Sequence, residues 1–202
     1  DLHLDENGSL TGNAISVYES YDAWQVRKFC TLQGEDAYRD FVQSDKARWK
    51  ISELGLENLD DPEKPVIERI SMTIPDASDT NGTFMYLNPV PGSRTESNEF
   101  YAVERQSVID LTCPTTTKYS CSITIPDGWS VAELPQPVNI RLDGGGATFK
   151  YDIVSEGGVI KLDSEISFTT VAFVPERYET MRKFWSSIIS KQAEVVILRK
   201  EI

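Results

Sequence analysis

Histidine is nearly missing from this chain: His3 is the sole imidazole among 202 residues. Ser-His and Cys-His chemistry needs a positioned base. His3 sits in a predicted strand beside a chain end, a poor place to hold one. Cysteine is scarce as well. Cys30, Cys113 and Cys121 form no CxxC pair, and no zinc-type Cys/His spacing occurs. Cys113 and Cys121 flank PTTTKYS, which reads as a hairpin loop; a bridge in an oxidising compartment and two unpaired strand residues are both open readings. No apolar run approaches the ~18–20 residues of a membrane helix. Positive charge is short too, with 20 Lys and Arg against 32 Asp and Glu, a net charge of −12. That balance argues against nucleic acid and against an anionic membrane face. It suits a solvated acidic surface.

What remains is an ordinary globular composition, 40% hydrophobic and 26% charged. The length suffices for a sizeable core. The chain opens on Asp1 without a leader-like run, which reads as a piece trimmed or processed from a longer protein.

The opening stretch DLHLDENGSLTG admits two readings. An EF-hand loop needs oxygen ligands at fixed positions, Gly at the sixth and a bidentate Glu at the last. Placing Gly8 sixth puts His3 first and Asn13 last, both wrong for a hard cation. The flanking residues also read as strands. Asn7-Gly8 as the turn of a hairpin is the better reading.

From Ser20 the period changes to that of a helix. Ser20 is placed to cap it, and Ala23, Val26, Phe29 and Cys30 recur on one face. Trp24 is read as core. Gly34 breaks the run, and a second helix from Glu35 to Val42 turns Ala37, Tyr38, Phe41 and Val42 inward. Strands follow at Trp49–Leu56 and Val66–Ile74. PDASDTNG is loop-like and marks a candidate boundary near 75–83 within one domain spanning 1–202. Seven further strands are predicted: Thr83–Leu87, Phe100–Val103, Ser107–Thr112, Tyr119–Ile125, Val138–Leu142, Ala147–Val154 and Val159–Thr170. Regular turns between them suit an antiparallel sandwich or meander. Pro175 begins a helix whose stripe is Tyr178, Met181, Phe184, Trp185, Ile188 and Ile189. Ala193–Arg199 is then a closing strand, apolar enough to be central.

Chemistry is hard to find in these elements. Acidic pairs such as Asp60-Asp61 and Glu35-Asp36 fall on loops or helix starts, and nothing selects two that face each other across a cleft. The glycine run Gly144–Gly146 precedes a strand rather than a helix, so it reads as a hairpin turn and not a phosphate cradle. Four tryptophans could stack sugars, and Trp129, just after the IPDG turn, is the best placed of them.

Motifs in order are LDENGSLTG, YESYDAWQVRKF, GEDAYRDFV, WKISELGLENLDDPEKPV, VERQSVIDLTCP, YSCSITIPDGWSVAELP and VPERYETMRKFWSSIISKQAEVVILRK. They include Tyr21, Asp22, Ala23 and Arg27 at a helix start, Arg105 and Val108, and the Ile125–Pro135 stretch. Together they resemble the C-terminal region of large, exported bacterial transglutaminase-like proteins. In that family an N-terminal β-rich domain and a papain-like core precede a β-rich domain of unknown function. The resemblance implies an accessory domain whose enzyme lies elsewhere, since the family's catalytic Cys-His-Asp set maps to no residue here.

The expectation is therefore a mainly β, α+β protein: antiparallel and sandwich-like, with two short N-terminal helices and one C-terminal amphipathic helix packed on a sheet. No catalytic, cofactor-binding or metal-ligating residue is singled out. The implied partner is an upstream transglutaminase-like core, with a protein, peptide or glycan ligand beside it, and neither nucleic acid nor membrane insertion. The implied location is extracytoplasmic, periplasmic or cell-surface. The alternative is a glycan- or peptide-binding module with exposed aromatics.

Overall fold

The structure is a computed structural model, and it describes residues 1–92 and 97–201. Strands dominate and every strand pairing described is antiparallel. The chain divides into two compact units, Asp1–Ala77 and Ser78–Ile202, and the seam falls inside PDASDTNG.

In the first unit, β1 (Leu2–Leu4) and β2 (Leu10–Tyr18) form the N-terminal hairpin, with Leu4 opposite Leu10. The turn is longer than an Asn-Gly pair. The Asp5 N–H donates to the Ser9 carbonyl at 3.0 Å, and Asp5 Oδ1 accepts the Asn7 and Ser9 N–H groups, both at 2.9 Å. Only Gly8 takes a positive φ, 86°. The Asx turn at Asp5 thus does the work that the sequence reading gave to Asn7. Strand β2 continues onto β4 (Val66–Ile74), which pairs on its other side with β3 (Lys50–Glu57).

Between β2 and β3 lie α1 (Ser20–Gln33) and α2 (Glu35–Asp45). Ser20 does not cap α1. Its own φ is 48°, and the Glu19 carbonyl takes the Asp22 and Ala23 N–H groups instead. The helices bury Ala23, Val26, Tyr38 and Val42, while alternate β4 residues from Val66 to Ile74 are buried. Two aromatics assigned to the interior lie outside it: Trp24 is 49% exposed and Phe41 54%. Phe41 stays at the rim against Phe29, at 5.4 Å between ring centres.

The second unit holds β5 (Ser78–Thr80), β6 (Phe84–Leu87), β7 (Ile109–Asp110), β8 (Thr115–Thr124), β9 (Trp129–Glu133), β10 (Val138–Arg141), β11 (Ala147–Glu156), β12 (Val159–Phe168), β13 (Ala172–Phe173), α3 (Tyr178–Gln192) and β14 (Val196–Lys200). Strands β10, β11, β12 and β8 run side by side, and β5, β6, β14 and β9 make a separate sheet in that order. Strand β14 is central there, as its apolar run predicts. A 3-10 turn, Pro175–Arg177, leads into α3. The helix stripe buries Tyr178, Met181, Phe184 and Ile188. Helix α3 packs on the β10–β8 sheet through Phe184, edge-on to Phe168 at 6.0 Å, and Lys191, whose ammonium lies 5.8 Å from the Tyr151 ring centre.

Four segments depart from the sequence reading. PTTTKYS is no hairpin loop: after Pro114 it is strand, the first part of β8. Its β-branched threonines suit a pleated surface. Phe100–Val103 forms no strand: Phe100 is buried against Tyr178, and Tyr101 and Val103 face solvent. Ser78–Thr80 and Trp129–Glu133 are strands that the turn residues around them concealed. The Gly144–Gly146 run is a hairpin turn, all three residues at positive φ, joining β10 to β11.

Candidate functional site

Antiparallel register builds a partly enclosed hollow in the second unit. Thr115 lies opposite Phe168, Thr117 opposite Ile166 and Tyr119 opposite Ser164. Residues two apart on a strand share a face, so these pairs make one continuous floor. Trp185 and Gln192 from α3 form the wall, and Leu111 closes an end. Seven residues separate the two helix positions, about two turns, so both address the same side. The cleft holds about 320 Å³, at the small end of the ~300–1,000 Å³ typical of ligand sites.

Its lining is hydroxyl-rich and aromatic. Lys118 is the charged side chain at its edge, and its ammonium lies 3.7 Å from Glu165. Trp185 is wedged between two phenylalanines: it stacks on Phe168 at 5.8 Å and 23°, and lies 6.3 Å from Phe100. Its indole N–H is buried with no acceptor. Tyr151, opposite Ser164 on β11, has a buried hydroxyl that is also unpaired. An unmet buried donor costs about 1–3 kcal/mol, so both are weak points of this packing. Burial raises the Tyr119 phenol well above its ordinary value, with Cys121 the next cause. It is therefore neutral and donates, with the Pro89 carbonyl 3.5 Å away. A larger hollow of about 590 Å³ beside Ile140 and Lys183 lies open to solvent. Two polar groups there are committed: Ser187 donates to the Lys183 carbonyl, and Lys191 donates to the Gln136 carbonyl and to Glu194.

Elsewhere, polar groups tie elements together. Glu68 is 2% exposed. Ser16 faces it directly across the ladder, and the Ser16 and Tyr18 hydroxyls donate to Oε1 at 3.1 and 3.2 Å. The Tyr38 hydroxyl reaches from α2 to Oε2 at 2.9 Å. Burial first, and then the Glu68 charge, pushes both phenols above their ordinary range. Arg27 of α1 donates to the Leu59, Asn58, Asp61 and Lys64 carbonyls at 3.2, 2.9, 2.6 and 2.6 Å. It organises ENLDDPEKP into a carbonyl nest. Arg177 likewise holds the glycine turn, donating to the carbonyls of Asp143 and Gly145.

The residues weighed from sequence scatter. His3 is exposed on β1 opposite Thr11. All three cysteines are free. Cys113 precedes the strand that carries Cys121, so extended backbone separates them far beyond bridging range. Trp129, the best sugar candidate by sequence, is only 7% exposed and lies under Lys200. Trp185, on the predicted apolar stripe of α3, packs on Phe168 and Phe100 and also borders the cleft. The β-branched run Thr115–Thr117 before Tyr119 marks β8 as a strand, but pairing with β12, which makes the floor, is what sequence could not supply.

This architecture defines an α+β domain dominated by antiparallel sheets, with a hydroxyl-and-aromatic cleft under its C-terminal helix. Over residues 83–198 the chain matches the family described as a Domain of Unknown Function with solved-structure structure, DUF3858, and it belongs to that family. No curated protein matches it significantly. Among solved structures it is similar to the crystal structure of a putative protease from Parabacteroides distasonis, at 15% identity and a TM-score of 0.48. The similarity covers 59% of this chain and 24% of that one, so it spans about a quarter of that protein's length.

Proposed function

We propose that the chain is a non-catalytic accessory domain of a larger, exported transglutaminase-like protein, which supports or positions that protein's core or its substrate. The observation that carries this reading is the chemistry of the cleft. Hydroxyls, an amide and aromatic rings line it, groups that hold a ligand rather than break a bond. A nucleophile and base within hydrogen-bond reach would be needed for acyl transfer. The strongest buried ionic groups, Glu68 and Lys191, are spent on hydroxyls, a backbone carbonyl and a neighbouring carboxylate. The sequence motifs that resemble the family's C-terminal region support the same role, and the extracytoplasmic location comes from that resemblance.

The reading frame upstream of Asp1 tests this. A papain-like Cys, then His, then Asp is expected there, and their absence would overturn the proposal. The purified chain should show no hydrolysis of casein and no amine incorporation into it. Turnover that survives repurification and is lost on mutation of a clustered acidic pair would also overturn it. A ligand-binding module is the second reading. The cleft favours it, although through Trp185 and not through Trp129.

A further inference from the structure

We infer that the cleft between α3 and the β8–β12 ladder binds a short, uncharged, extended peptide segment through its backbone. This rests on the cleft itself and is independent of which enzyme the domain accompanies. Length comes first. The floor runs over Thr115, Thr117 and Tyr119, about 13 Å at the rise of a strand. The wall from Trp185 to Gln192 is about 10 Å at the rise of a helix. Three or four extended residues match that span at ~3.3 Å each.

Charge comes second. On a chain with net charge −12, this lining contains no carboxylate, and Lys118 already faces Glu165. A cationic ligand would lose hydration there with no carboxylate to replace it, and an anionic one would have to compete with Glu165 for Lys118. Hydrogen bonding comes third. The Thr115, Thr117 and Ser164 hydroxyls both donate and accept, which suits the alternating N–H and C=O of a peptide. The Trp185 ring lines the cleft beside these hydroxyls and reports on whatever enters it.

A sugar fits these observations less well. Carbohydrate recognition by tryptophan uses an open ring face, and Phe168 and Phe100 crowd Trp185.

The test is a titration of the purified chain, with uniform nitrogen-15 labelling. The probes are a panel of N-acetylated, C-amidated tripeptides with central Ala, Leu, Phe, Ser or Gln, with diacetylchitobiose alongside. At least one peptide should shift the Trp185 indole resonance saturably, together with the Thr115 and Thr117 amides. Trp185→Phe, which keeps a ring, identifies that resonance and should weaken the binding about tenfold. Thr117→Lys, at an exposed position, should weaken it at least as much while leaving the fold intact. No shift from any peptide up to millimolar concentration would overturn the inference. So would shifts confined to residues outside the cleft, or saturable binding of the sugar alone. A failed titration would leave the accessory reading standing, because that reading is decided by the upstream frame.

Discussion

The two units treat their buried polar atoms differently. In Asp1–Ala77, Glu68 is fully buried yet accepts from Ser16, Tyr18 and Tyr38, and Arg27 is surrounded by carbonyls. In Ser78–Ile202 the buried Nε1 of Trp129, the hydroxyl of Tyr151 and the Nε1 of Trp185 have no partner. Among the described residues every such orphan lies in the second unit. A satisfied network fixes one arrangement and leaves little for a ligand to improve. An unsatisfied buried donor is the opposite case, because its desolvation cost stands in the folded state.

This contrast breaks most visibly if Arg27→Ala is tolerated. Loss of the guanidinium strips several loop carbonyls of their donor, and about 3 kcal/mol of stability should go in urea denaturation. Arg27→Lys should restore little, since one ammonium cannot span the nest. Next in size is Tyr38→Phe, which removes the 2.9 Å bond to the Glu68 carboxylate and should cost about 1.5 kcal/mol. It should also alter the alkaline limb. The folded-state pKa of Tyr38 lies above its unfolded value near 10, so its protonated form favours folding. That contribution is complete below pH 10 and falls away as pH rises beyond it. The wild-type chain should lose stability above pH 10 more steeply than the phenylalanine variant. The smallest effect sharpens the comparison most. Tyr151→Phe deletes an unpaired hydroxyl and keeps the ring beneath Lys191, so it should cost nothing and stabilise the fold by about 1 kcal/mol. A loss equal to that of Tyr38→Phe would erase the distinction between the units.

Much of the fold was legible because local signals agreed with tertiary structure. Gly34 separates two helices, Pro175 opens the turn before α3, and the AEVVILR run is a central strand. What failed were positions where amphipathic periodicity is ambiguous. Trp24 shares α1 with buried Ala23 and Val26, but it lies one position off their stripe, beneath Lys28. Trp129 follows a turn, and pairing with Lys200 draws it inside. The cleft was illegible for a different reason. It depends on which strand lies beside β8 and on where α3 lands, and neither is encoded locally.

Strand β14 carries a consequence for how the second unit assembles. It sits between β6 and β9 and places Val196 opposite Leu87, across roughly a hundred residues of chain. While a ribosome makes this unit, β6 and β9 must wait with unpaired edges until β14 emerges. Loop closure on that scale is slow, and bare edges in the interval invite pairing with other chains. Helix α3, directly before β14, forms quickly from local contacts and can shield apolar surface meanwhile. The stretch that builds the cleft wall would then also guard the chain during synthesis, so variants in the Met181–Ile188 stripe should reduce soluble yield before they alter the finished fold.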